Sequence, residues 1–286
     1  MDVLNLFKLD KKVALVTGGS RGIGRIFALA LAEAGADVVV SDIDEKLGNR
    51  VCEEVKAFGR RNAFVKTDVT KKDEVAAMVS ETIKQMGSLD IAVNGAALYY
   101  EDWEKAIDVC LNSVYYSCMA EALEMKKKNR GKIVNISSIS GIIVNAGAPY
   151  CVAKAGVIML SRCMARDLAG YNINVNCISP SYTLTMGRRK DNNEIKQKIR
   201  STTPMGWYQR PEDMVGTLLY LVSDASNYIT GQNIVADGGH LLNDWLLSMP
   251  LREVAPLVSP EEEIKSLIHD MDLLGTPYDE NYVAKE

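Results

Sequence analysis

The sequence predicts one doubly wound α/β domain, a single parallel sheet of about seven strands with helices on both faces, followed by an acidic C-terminal extension. Three observations predict it. Short apolar runs recur along the first 240 or so residues, each followed by a segment with helical spacing; no break in composition interrupts them; and the first run opens into a glycine-rich turn. Parallel strands are joined by crossovers that return over a face of the sheet, so this alternation places helices on both sides.

The first strand, Val13-Ala14-Leu15-Val16, is apolar on both faces, as a strand inside a parallel sheet must be. A helical pattern through Ile26, Leu29, Ala30 and Leu31 follows and ends at Gly35. Val38-Val39-Val40 runs to Ser41-Asp42, and a helix is expected near 45–58. Ala63-Phe64-Val65 runs to Asp68, with a helix near 71–86. Leu89-Asp90-Ile91-Ala92-Val93 runs to Asn94, with a helix near 103–128. Gly131 to Ile136 leads to Ser137-Ser138, with a helix from about 150 to 169. Ile173 to Ile178 and Asn233-Ile234-Val235-Ala236 complete the seven, the last running into Asp237-Gly238-Gly239. Residues 1–242 are thus one domain.

Composition excludes several function classes. Apolar residues make up 47% of the 286 and charged residues 24%, ordinary for a globular chain with a sizeable core. The net charge of −4 gives no pull towards nucleic acid or an anionic membrane. His240 and His269 are the only histidines, and the six cysteines (Cys52, Cys110, Cys118, Cys151, Cys163, Cys177) form no Cys-x-x-Cys pair. They read as reduced, buried thiols in a cytoplasmic protein, with no metal site. No apolar run reaches the ~18 residues of a membrane span, and the first residues lack a signal-peptide pattern.

The extension, residues 243–286, is different in charge. It holds ten acidic and three basic residues, a local charge of −7, against +3 for residues 1–242. Ser259-Pro260-Glu261-Glu262 is a helix start, with a Ser cap and Pro in the first turn. Ile264, Leu267, Ile268 and Met271 then follow at helical spacing. Two readings stand: an appendage that packs on its own domain or a sister subunit, or a lid for the substrate pocket.

Three groups of residues carry chemistry. Thr17-Gly18-Gly19-Ser20-Arg21-Gly22-Ile23-Gly24 joins the first strand to the first helix. Glycines there let the backbone turn tightly and approach a pyrophosphate, whose charge meets the free N–H groups of the helix start. Asp42 closes the second strand, where a carboxylate accepts from the adenosine ribose hydroxyls and repels a 2′-phosphate. Arg21 pulls the other way, but one flexible basic side chain should not outweigh that repulsion, so NAD is the expected cofactor. Tyr150-Cys151-Val152-Ala153-Lys154 sets Tyr and Lys four apart on one helical face, with Ser137-Ser138 upstream at a strand end. An ammonium beneath a phenol is expected to lower the phenol's pKa towards the range acid–base work requires, and a nearby Ser hydroxyl can hold the reacting oxygen. Alone, each motif is also what a structural turn, a solvated Asp or a surface i,i+4 pair would show.

Taken in order, Thr17 to Gly24, Asp68-Val69, Asn94-Gly95-Ala96-Ala97, Ser137-Ser138, Tyr150 to Lys154, Pro180-Ser181 and Asp237-Gly238-Gly239 resemble the short-chain dehydrogenase/reductase family over roughly residues 8–242. The resemblance implies a Rossmann-like fold and a hydride transfer between a nicotinamide and a secondary alcohol or ketone. It implies Tyr150 as acid/base, Lys154 tuning it and holding the nicotinamide ribose, and Ser138 on the substrate oxygen, with Ser137 the fallback. Gly18, Ser20, Arg21, Gly22, Ile23, Gly24 and Asp42 should hold the cofactor. Asp68 and Val69 should meet the adenine, Asn94 should sit beside the cofactor, and Thr183 and Thr185 should meet the carboxamide end. A homotetramer is implied as well.

Within the family, Asn112 to Cys118, Gly141 to Asn145, Thr203-Pro204-Met205-Gly206 and Tyr228-Ile229-Thr230-Gly231 look like polyol dehydrogenases and ketose reductases. A polyol or ketose is the lead substrate. The same chemistry on 3-oxoacyl thioesters, other keto acids or hydroxysteroids is the alternative. A nucleotide-binding redox sensor with little catalysis is the alternative of another class, and a nucleotide-sugar epimerase lacks an evident sugar-nucleotide domain.

Three departures from the family stand out. The usual Asn-Asn-Ala-Gly is Asn94-Gly95-Ala96-Ala97; the segment from there to Trp103 is about a dozen residues short; and Cys110 stands where the family has Asn. That Asn orders a water of the proton relay, a task for which a thiol is poorly suited, so a slower or rerouted relay is expected. Substrate selection is expected in the loop near 184–208, whose Gly187 to Asn193 reads as a lid or as solvated charge.

Overall fold

A computed structural model of the chain describes residues 2–185 and 193–242. The acidic extension from residue 243, and all but the last residue of the segment Gly187 to Asn193 read as a lid or as solvated charge, lie outside the described residues. Seven strands form one sheet: β1 (Val13–Thr17), β2 (Asp37–Asp42), β3 (Asn62–Lys66), β4 (Ile91–Asn94), β5 (Gly131–Ile136), β6 (Ile173–Pro180) and β7 (Asn233–Ala236). The order is β3-β2-β1-β4-β5-β6-β7, and every pairing is parallel. Chain direction reverses its path across the sheet between β1 and β4. In a sheet with this order the loops leaving the strands part at that point, and the crevice beyond the carboxyl ends is where such sheets bind ligands.

Helices cover both faces. On one lie α1 (Gly22–Glu33), α2 (Glu45–Ala57) and α8 (Val215–Val222), which bury Phe27, Leu31, Val51, Val55, Leu218 and Leu221 against Val16, Val38, Val40 and Val93. On the other lie α3 (Lys72–Met86), α5 (Ser113–Lys127) and α6 (Ala148–Leu168), which bury Met78, Val79, Met125 and Val157 against Leu15, Val39, Ile133 and Val175. Each such side chain removed from water adds about 1.5–3 kcal/mol, which is why continuous apolar strands specify the sheet. The helices begin and end where local chemistry directs. Asp44 caps α2 by accepting from Leu47 N at 3.0 Å, α3 stops at Gly87, and α6 carries Pro149 in its first turn.

The helix expected near 103–128 is interrupted. After α4 (Trp103–Ile107), residues Asp108–Asn112 form a π turn, and the Ser113 N–H reaches back five residues to the Asp108 carbonyl oxygen before α5 continues. Residues 193–202, expected within a loop, form helix α7 (Asn193–Thr202). Nor are all cysteines buried: Cys163 is exposed on α6 and Cys151 half-buried, because both fall on the outward side of a helix whose buried stripe is Ala153, Lys154, Val157 and Ser161. None of the six is in a disulfide.

Candidate active site

The glycine turn joins β1 to α1 at the crevice. Gly18 has a φ of +67°, and a Cβ there would lie 2.7 Å from the Ala96 Cα, so the turn after β4 packs on bare backbone. A Cβ on Gly24 would overlap the Gly18 carbonyl oxygen. The turn therefore folds onto the start of α1 only with glycine at both places. Arg21, the residue before the helix, contributes no side-chain cap, which leaves the first-turn N–H groups facing the crevice. Ile23 is partly buried and packs on the core under the turn. Asp42 stands at the end of β2 beside it, only 8% exposed. Its Oδ2 accepts from Ser20 Oγ at 2.6 Å and Ser20 N at 3.2 Å, and its Oδ1 accepts from Asp44 N at 3.1 Å. These bonds fix the carboxylate and leave it lone pairs for further donors. A bare-backbone cradle, an uncapped helix start and a fixed carboxylate fit the pyrophosphate and ribose of a dinucleotide.

Asp68 is bound by its own turn, its Oδ1 accepting from Thr70 Oγ1 at 2.7 Å and Thr70 N at 3.0 Å, while Val69 is buried in the core. Thr185 lies over the glycine turn, since a Cβ on Gly22 would come within 3.3 Å of its Cγ2. Thr183 is buried and its hydroxyl binds Gln209 Oε1 at 3.0 Å.

The next group hangs on β5 and α6. Ser137 is buried, and its hydroxyl donates to the Lys154 carbonyl oxygen at 2.7 Å. Ser138 is half-buried, its Oγ accepting from Ser140 N at 3.1 Å and lying 3.1 Å from Ser140 Oγ. Ser137 thus ties the strand to the helix, and Ser138 is the hydroxyl left at the crevice. Lys154 is 2% exposed; its Nζ donates to the Ile136 carbonyl oxygen at 2.9 Å and stands 5.7 Å from the centre of the Tyr150 ring. On the other flank, the Tyr99 ring meets Tyr150 with centroids 5.6 Å apart, and the Tyr99 hydroxyl accepts from Gly147 N at 3.4 Å. The short segment after β4 therefore lays an aromatic side chain against the candidate acid/base. Sequence reasoning named the shortening but not Tyr99.

Asn94 closes β4 but turns its carboxamide inward. Its Nδ2 donates to Asn135 Oδ1 at 3.0 Å and to Glu121 Oε2 at 3.1 Å, and the residue is buried. Glu121 on α5 is fully buried, and burial pushes its carboxyl up to about 7 against the pull of the Asn94 hydrogen bond. This buried acid was missed: on paper Glu121 is one more polar residue on a helix. Cys110 lies in the π turn, fully buried, its thiol donating to the Leu98 carbonyl oxygen at 3.1 Å.

Leu98, in the loop after β4, and Ile142 and Val144, between Ser138 and Tyr150, are exposed. Asn145 Nδ2 donates to Tyr182 Oη at 3.3 Å, and the Tyr182 ring meets His240 edge-on at 5.5 Å. Among the described residues, no three His, Cys, Asp or Glu side chains gather as metal ligands would, and no helix is long and apolar enough to cross a membrane.

Comparison with known proteins places this arrangement. The family profile described as "Enoyl-(Acyl carrier protein) reductase" matches residues 18–240. The chain is 37% identical over 239 residues to a 3-oxoacyl-[acyl-carrier-protein] reductase FabG of Staphylococcus aureus, covering 80% of this chain and 97% of that one. It is also 37% identical over 253 residues to the sorbose reductase SOU1 of Candida albicans, covering 84% of this chain and 90% of that one. Among solved structures, a gluconate 5-dehydrogenase from Burkholderia cenocepacia J2315 in complex with NADP and tartrate superposes with a TM-score of 0.80 at 31% identity. That match covers 84% of this chain and 99% of the other.

Proposed function

The chain belongs to the short-chain dehydrogenase/reductase family, and from that premise we propose that it is an NAD(H)-dependent oxidoreductase interconverting a secondary alcohol and a ketone. The observation that carries the proposal is the juxtaposition of Ser138, Tyr150 and Lys154 at the end of β5 and the start of α6, on the same edge of the sheet as the glycine cradle. When bound, the nicotinamide accepts or supplies the hydride. The Ser138 hydroxyl holds the substrate oxygen, and the Tyr150 phenol takes its proton in oxidation or returns it in reduction. Lys154, anchored at Ile136, keeps its ammonium beside the Tyr150 ring with N–H groups to spare for a ribose hydroxyl.

Asp42 supports NAD over NADP: a buried carboxylate already fixed by Ser20 cannot swing away from a 2′-phosphate. The gluconate 5-dehydrogenase relative holds NADP, so both cofactors belong in the assay. A polyol or ketose is the proposed substrate, in keeping with the sorbose reductase likeness. The exposed apolar side chains Leu98, Ile142 and Val144 favour the second reading, a 3-oxoacyl, keto-acid or steroid substrate. Assembly as a homotetramer draws support from an apolar stripe on adjacent helices: Tyr115, Met119 and Leu123 on α5 with Val152 and Met159 on α6, all exposed.

The test follows absorbance at 340 nm with NAD and NADP in parallel, against polyols, hydroxy acids and steroid alcohols in oxidation, and ketoses and 3-oxoacyl thioesters in reduction. Turnover with NAD on a polyol is the expected result. Cofactor binding without turnover on any member would replace this reading with the redox-sensor one, Cys110 then being the residue to restore to Asn.

A further inference from the structure

Two polar atoms in the loops that follow β5 and β7 are buried and have no hydrogen-bond partner among the described residues: Asn145 Oδ1 and His240 Nδ1. They arrive from separate loops. Asn145 lies between Ser138 and Tyr150, one residue from the Ala146-Gly147 backbone that the Tyr99 hydroxyl ties to the Tyr150 ring. His240 follows β7 after a turn in which the Asp237 carboxylate accepts from Gly239 N and Leu241 N, each at 2.8 Å. Tyr182, two residues past the end of β6, stands between them. It accepts from Asn145 at 3.3 Å and carries the His240 imidazole on its ring at 5.5 Å. Loops from three strand ends thus meet at Tyr182, which holds the Asn145 amide nitrogen and packs edge-on with the imidazole.

Buried polar groups in folded proteins almost always find partners, and two exceptions gathered on one side chain, Tyr182, beside the candidate catalytic residues point to a ligand group that supplies them. The donor and acceptor pattern narrows the ligand. Asn145 Oδ1 can only accept, and an imidazole Nδ1 donates or accepts by tautomer. A carboxylate, a phosphate or a thioester carbonyl brings no proton for Asn145. A hydroxyl brings both a donor and an acceptor. We propose that Asn145 and His240, braced by Tyr182, form a subsite for a hydroxyl that the substrate carries away from its reacting carbon, so that the preferred substrate is polyhydroxylated. The proposal rests on Ser138 and Tyr150 acting on a carbinol.

The test compares kcat/KM on the best of four polyols (sorbitol, mannitol, xylitol, ribitol) with that on 2-hexanol, for the wild type, Asn145→Ala and His240→Phe. The phenyl ring preserves the contact with Tyr182. Titration of NADH fluorescence first establishes that each variant is folded and holds cofactor. The wild type is expected to prefer the polyol, and each variant to lower that preference about tenfold, chiefly through KM, as the loss of one hydrogen bond in a dry site would. A wild type that prefers 2-hexanol, or variants whose ratio stays within twofold of the wild type, would overturn the subsite. If the wild type turns over no alcohol, the carbinol reading fails separately. The subsite is then judged by the thermal shift that the same polyols give the NADH-loaded protein: a shift absent in both variants supports it, and no shift or an equal one overturns it.

Discussion

The two edges of the sheet treat their polar groups in opposite ways. At the amino ends of β1, β4 and β5 the groups satisfy one another. Asp90 accepts from Val13 N at 2.9 Å, from Ser88 Oγ and from Lys128; Arg130 pairs with Asp224 at 3.0 Å; Lys132 donates to Ser226 Oγ at 3.2 Å. Burial works to raise the Asp90 carboxyl, but the bonds from Lys128 and Val13 win and hold it below its ordinary value. Burial also brings the Lys132 amine down to about 8, against the opposing pull of Asp224. At the carboxyl ends the groups are fixed on one side and open on the other: Asp42 by Ser20, Lys154 by Ile136, Asn145 by Tyr182. A closed network serves stability, and an open one serves a ligand. The same backbone pattern supplies both, because one edge of a parallel sheet meets loops that only connect and the other meets the crevice.

If the edges divide the work in this way, the largest effect belongs to Tyr150→Phe. Turnover at 340 nm should fall by about 10²–10⁴-fold with NADH binding unchanged; an active Phe variant would move the acid/base elsewhere. The next effect lies just inside the carboxyl edge, at Glu121, which Asn94 binds. Its folded-state value of about 7 is above the ordinary 4.5, so folding takes up a proton there. The stabilisation is complete below pH 4.5 and is lost as pH rises through 7, by about 3 kcal/mol in all. Glu121→Gln removes the titration, so the variant's Tm should fall less than that of the wild type between pH 5 and 8. Parallel Tm curves would show that another group titrates. Third, Asp42→Asn should shift the NAD over NADP ratio of kcat/KM by about ten- to a hundredfold towards NADP; a ratio that stays put would assign cofactor choice to Arg21. The smallest effect belongs to Asp224→Asn at the closed edge. Both partners of the Arg130 pair are about half exposed (54% and 46%), so denaturant midpoints should report under about 1 kcal/mol, with activity unchanged. Loss of activity there would erase the contrast between the edges.

Much of the sheet was legible because its signal is local. Buried parallel strands are short and apolar on both faces, and all seven appeared at or within a few residues of their observed bounds, β5 and β7 at the same bounds. Helix α8 was not singled out: Val-Gly-Thr-Leu-Leu-Tyr-Leu-Val is apolar nearly throughout and lacks the contrast between faces that periodicity needs. Helix α7 hid in a charged segment read as loop, since Ile195 and Ile199 are its sole large apolar residues. At the site, spacing marks which residue types lie together but not where their side chains turn. Asn94, expected beside the cofactor, faces inward to Glu121, and Thr183 is taken up by Gln209 while Thr185 lies over the glycines. Tyr99, Tyr182 and His240 come from three different loops, and no local pattern joins them.

The π turn at Asp108–Asn112 makes chain length itself a structural variable. An ordinary helix advances about 100° per residue, and this turn absorbs one residue without passing on that rotation. Deleting any of the five except Cys110 would remove no side chain named at the site. It would nevertheless rewind the helix and swing Trp103–Ile107 by about a quarter-turn against α6, carrying with it the Leu98-Tyr99 segment anchored by Cys110. In that stretch the protein stores information as a count of residues, which a catalogue of amino-acid substitutions would leave unread.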